Sequence, residues 1–117
     1  MNVKYKLDGQ KVVPVENTIE WAEWFEKADR TVAKDVVGKL RVSTVFIGLD
    51  HNFMLKGPPL LFETMVFDDS GGMPQAALDI QERYATWDEA VAGHAEVLAR
   101  VIAASKSETT PSGGEEQ

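Results

Sequence analysis

"LRVSTVFIGLD", Leu40 to Asp50, carries the strongest structural signal in the chain. Successive side chains of an extended strand point to opposite faces, so Val42, Thr44 and Phe46 fall on one side and Val45, Ile47 and Leu49 on the other. Both sides are mostly apolar, which predicts an interior strand with a neighbour on each flank. Gly48 within it predicts a bulge or a close approach by another backbone or a ligand. Downstream, "LLFETMVFD", residues 60–68, is a second apolar run, and the simplest pairing joins the two in a long hairpin. Glu63 interrupts that run, and a carboxylate there must face solvent or find a partner.

The flanks fill in around this hairpin. "VKYKLDGQKVVPV", residues 3–15, alternates Val3, Tyr5 and Leu7 with lysines, and Asp8-Gly9 supplies turn chemistry. Pro14 lacks a ladder donor and marks a short or edge strand. In "NTIE", Asn17 caps a helix expected over Thr18 to Ala28, with Trp21, Trp24, Phe25 and Ala28 on one face. That aromatic face reads as a cover for the core, the alternative being a Trp21/Trp24 patch that stacks on a ligand or partner. "RTVAKDVV", residues 30–37, reads as a strand leading into a Gly38-Lys39 turn, and "ALDIQERYA", residues 77–85, is open between a helical turn and a sixth strand. "TWDE", residues 86–89, is a capping box opening a helix to about Ala104, with Trp87, Ala90, Val91, His94, Leu98, Val101 and Ile102 as its apolar stripe. The expectation is one α+β domain over residues 1–105, a mainly antiparallel sheet of five or six strands with two helices on one face, and a disordered tail over 106–117.

Composition narrows the function classes. With 44% hydrophobic and 26% charged residues in 117, the chain is that of a single globular domain. Twelve basic against 19 acidic residues leave a net charge of −7, which argues against direct nucleic-acid binding and admits docking on a basic surface. The chain has no cysteine, so disulfides, thiolate metal sites and cysteine nucleophiles are excluded. The start lacks a signal-peptide core, and no apolar run approaches the roughly 18 residues of a membrane span. No membrane association is expected, and the cytoplasm is the default location.

Two histidines bear on any catalytic role. His51 follows Asp50 at a strand end, where loop mouths carry functional groups. His94 lies on an apolar stripe and reads first as a satisfied core histidine. Either could serve as base for Ser43, Thr44 or Thr64, although nothing resembling GxSxG surrounds them. Both could join Asp50, Glu63 or Asp68 around a metal, without a compact spacing to support it. "SGGMPQ" lacks the GK[ST] of a phosphate loop, and no cofactor is implied. A binding pocket asks for less: polar groups Asp50, His51, Asn52, Glu63, Arg83 and Tyr84 set among aromatics that include Trp87.

"VSTVFIGLDHNF", "GPPLLFETMVFDD" and "ERYATWDEAVAGH" together resemble a family of small bacteriophage and prophage proteins, over roughly Ile19 to Val101. The loop "DDSGGMPQAALDIQ" is longer here than the family spacing. The family carries no established activity, so the resemblance implies a context: a phage accessory protein acting in the host cell, for which interference with host defence is a common role. The leading reading is a non-enzymatic protein that binds a host protein or a small nucleotide through a rim of the "LDHNF" loop, the "DDSGG" loop and the start of the last helix. The alternatives are a metal-dependent hydrolase using Asp50, His51, Glu63 and His94, and a homo-oligomeric structural or virion component.

Overall fold

A computed structural model describes residues 4–50 and 57–109. The order is β1 (Lys4–Asp8), β2 (Lys11–Val15), α1 (Thr18–Lys27), β3 (Thr31–Val37), β4 (Leu40–Phe46), β5 (Phe62–Asp68), β6 (Gln75–Tyr84) and α2 (Trp87–Thr109). The α+β class and the antiparallel pairing are as read, and β4 is interior: the main sheet runs β3-β4-β5-β6. The six strands divide into two sheets, however, with β1 and β2 forming a separate two-stranded unit.

The helices also divide. α2 crosses all four strands of the main sheet, whereas α1 lies on the β1-β2 hairpin and reaches that sheet through Trp24, edge-on to Phe46 at 5.8 Å. A short link from Val15 to the Asn17 cap keeps α1 beside the strand that precedes it, since consecutive elements tend to pack together. Its aromatic face is spent internally: Trp21 stacks on Phe25 at 4.6 Å and donates its indole N–H to the Tyr5 carbonyl at 2.7 Å.

Gly48 is where the two units meet. Its carbonyl accepts from the Tyr5 N–H at 2.9 Å, and a Cβ there would lie 3.1 Å from the Tyr5 carbonyl oxygen. With φ at 74°, the backbone conformation also favours glycine.

β6 resolves the ambiguous segment as a strand with a wide bulge. Ala77, Leu78, Asp79 and Ile80 stand opposite Val66 alone, and Leu78 (φ 61°) and Asp79 (φ 56°) adopt the left-handed conformation. For non-glycine residues this costs about 1–2 kcal/mol each. Burial of Ile80 in the core, worth roughly 1.5–3 kcal/mol, offsets the strain.

α2 continues through Thr109, past the expected stop at Ala104, so the expected domain boundary falls inside the helix. From Ala104 to Thr109 the sequence holds no glycine or proline to stop it. Among the described residues no helix is long and apolar enough to cross a membrane.

The core lies between α2 and the inner face of the main sheet. One cluster joins Val42, Val66 and Ile80 to Val97 and Val101; the other joins Phe46, Leu61 and Phe62 to Ala90, with Trp24 and Trp87 against it. Tyr84 crosses so close beneath α2 that a Cβ on Gly93 would sit 2.2 Å from its ring. Gly93→Ala is therefore expected to destabilise by about 1–3 kcal/mol through overpacking. Paired with Tyr84→Leu, its cost should be less than additive by urea denaturation; full additivity would contradict the packing.

Candidate functional site

The register of the main sheet sorts its side chains into two faces, because directly opposed residues point the same way. On the inner face, Thr44 lies opposite Ala33 and Thr64, and Asp35 opposite Val42. α2 brings His94 over this row, between the two apolar clusters. The imidazole Nδ1 lies 2.7 Å from the Thr44 Oγ1, Thr44 Oγ1 bonds the Thr64 hydroxyl, and Nε2 lies 2.7 Å from an Asp35 Oδ2.

A carboxylate only accepts, so Nε2–H donates to Asp35. In the neutral ring Nδ1 then accepts from the Thr44 hydroxyl, and Thr44 in turn accepts from Thr64. The hydroxyls thus run in one direction along three strands and a helix. Composition resembles a hydroxyl-imidazole-carboxylate triad, and Thr44 and Thr64 are indeed the threonines weighed as nucleophiles. Access decides otherwise: Thr44 and Thr64 are 0% exposed and His94 4%. With both ring nitrogens occupied, His94 is the satisfied core histidine expected from its stripe.

Among the described residues the expected lining does not converge. His51 and Asn52 lie outside the described residues. Asp50 accepts from the Leu60 N–H at 3.0 Å, joining the two ends of the segment that separates β4 from β5. Tyr84 and Trp87 belong to the inner side, Trp87 edge-on to Phe62 at 6.3 Å. Glu63 and Arg83 project from the opposite, outer face, paired across β5 and β6 at 3.0 Å with Gln81 also donating to Glu63 at 2.9 Å. This corrects the single rim. The "DDSGG" loop also leaves it: Asp68 is opposite Leu40, whereas the Phe46 and Phe62 pair marks the other end of the sheet. At the Leu40 end Arg41 clasps Asp69 at 2.8 Å and Lys39 approaches Asp68 at 3.8 Å. The Arg41 hydrogen bonds hold the Asp69 carboxyl below its ordinary range, and those from Ser70 do the same for Asp68.

The constellation for a metal-dependent hydrolase is corrected on the same ground. Glu63 and His94 lie on opposite faces of the sheet, and among the described residues no three metal-ligating side chains cluster.

What the sequence reading missed is the outer face as a unit. Three cross-strand rows build it: Val36, Arg41, Phe67 and Ala76; Lys34, Ser43, Met65 and Gln81; Thr31, Val45, Glu63 and Arg83. The Arg41 guanidinium stacks on Phe67 at 4.6 Å. Strict alternation along β4 and β5 was the available signal. Among the described residues, one shallow recess of about 430 Å³ is bordered by Asp8, Gln10, Lys11, Thr86, Trp87 and Asp88, and another of about 280 Å³ lies beside Met65 and the β6 bulge.

Comparison with protein-family models, with curated proteins and with solved structures finds no match.

Thr44→Val should cost about 1–3 kcal/mol, because it leaves His94 Nδ1 buried and unpaired. Thr64→Val should cost less, since Thr44 can still donate to the ring; the reverse ranking in urea denaturation would refute the donor order. Burial pushes the Tyr84 phenol above its ordinary value. The folded protein therefore holds that proton longer than the unfolded chain. Stability from this group is complete below the unfolded value of about 10 and is lost as pH rises through the folded one. Tyr84→Phe should remove that alkaline decline, measured as the difference in urea midpoints between the two proteins across the window.

Proposed function

We propose that the protein is a small binding module of the phage accessory type, and that it grips a host protein through the outer face of its main sheet. The observation that carries this is the face itself: twelve positions in three registered rows, with α2 on the opposite side of the sheet. Its charges are largely neutralised in place, Arg83 by Glu63 and Arg41 by Asp69. That leaves Val45, Met65 and Phe67 as half-buried apolar surface at the centre. Aromatic, methionine and arginine side chains with their charges already paired are what the centre of a protein interface favours.

A host protein fits this surface better than a nucleotide signal does. The larger recess sets Asp8 and Asp88 against Lys11, and the smaller carries Asp79. Phosphate oxygens would meet carboxylates in either. The resemblance to phage proteins supports action inside a host cell, against a host factor. The sealing of Thr44, Thr64 and His94 supports binding over hydroxyl-based catalysis.

The test is capture from host lysate by the wild-type protein and by the Ser43→Glu/Met65→Glu variant, with cross-links mapped onto the chain. The expected result is a partner cross-linked at Lys34 and retained about tenfold less by the variant, a loss of ~1.4 kcal/mol, with the wild-type fold retained by circular dichroism. Equal capture by both proteins, or cross-links confined to the helical side, would reject the outer face. A nucleotide released on denaturing the purified protein would reject the protein partner.

A further inference from the structure

α2 is apolar on more than its buried side. Between Ala90 and Ser105 its charged residues are Glu96 and Arg100, and Arg100 turns back to Glu82 on β6 at 3.4 Å. At about 100° per residue, the remaining outward arc is uncharged. It includes Val91, 46% exposed, and Ile102, 37% exposed, with Leu98 half-buried alongside. An exposed helix of a monomer ordinarily carries charged and polar residues on that side.

The pattern on this arc is specific. Asp88, Ala92, Ala95, Ala99, Ile102 and Lys106 recur at alternating spacings of four and three, the seam of a helix pair. Only one orientation makes the seam complementary to itself. Run antiparallel, Ala92 meets Ile102 of the second copy, Ala95 meets Ala99 of the second copy, and the bulky and small side chains interlock. The same register sets the acidic first turn, Asp88 and Glu89, against the basic last turn at Lys106, and opposes the two helix dipoles. A parallel pair would stack Asp88 on Asp88 and Lys106 on Lys106.

We infer that the protein associates with a second copy of itself as a two-fold symmetric dimer, α2 against α2 and antiparallel. Such a contact is isologous and closes on itself. Trp21 and Trp24, first considered as a patch for a ligand or partner, are occupied within the protomer. The inference is independent of the partner bound by the outer sheet face. It has a consequence for that face, because helices packed back to back leave the two sheets on opposite sides of the dimer.

The experiment is sedimentation velocity over a concentration series, on the wild-type chain and on Ala95→Glu. Ala95 is exposed and glutamate is a good helix former, so the fold is retained, which circular dichroism and melting temperature verify. The expected result is a wild-type dimer and, for the variant, a dissociation constant raised about tenfold or more. A wild-type monomer at working concentration, or a dimer indifferent to Ala95→Glu, would overturn the proposal. Orientation is read with single cysteines in the cysteine-free chain and a short bismaleimide. Ala95→Cys should cross-link, whereas Ala103→Cys, about 18 Å along the axis from its copy, should not. Equal cross-linking at both positions would mean a parallel pair and overturn the register.

Discussion

His94 is held at both ring nitrogens, by Asp35 on the outermost strand and by Thr44 on an interior one. Apolar contacts alone would let α2 slide or roll over the inner face at modest cost, because hydrophobic attraction has no direction. A buried imidazole with two fixed partners has one workable position. Moving α2 by a turn would strand the ring, the two threonines and the carboxylate together. The two apolar clusters on either side of His94 supply the bulk of the cohesion, and the polar row between them sets the alignment. Once that alignment is set, the outward arc of α2 and the burial of Tyr84 under Gly93 follow from it.

The parts legible in the sequence were those with short-range causes. The alternation in "RVSTVF", both capping residues Asn17 and Thr86 and the two glycine turns depend on neighbours a few residues apart, and the pairing of β4 with β5 follows from their being consecutive strands. Gly48 was read as a close-approach point, and Glu63 as a strand carboxylate in need of a partner; the structure supplies Tyr5 for the first, Gln81 and Arg83 for the second. The parts that were not legible depend on distant residues. Asp35 in "RTVAKDVV" looks like any solvated edge carboxylate, and its partner lies 59 residues away. The separation of the hairpin into its own sheet depends on how β4 ends, which no local pattern encodes.

The candidate site shows a different kind of miss. Arg83 and Tyr84 are adjacent on a strand and so face opposite sides of the sheet, which already forbids a single pocket lined by both. Treating the segment as open between helix and strand removed that constraint. Once it is a strand, Glu63 and Arg83 go to one face and Tyr84 to the other without further information.

The sheet has two free margins, and neither is an inviting template. On β6, the left-handed pair Leu78 and Asp79 breaks the row of backbone donors and acceptors; on β3, Asp35 turns a carboxylate inward where an added strand would have to bury it. Lateral growth by recruiting further chains is therefore disfavoured at both ends of the main sheet. These guarded margins let the chain accumulate without seeding fibrils.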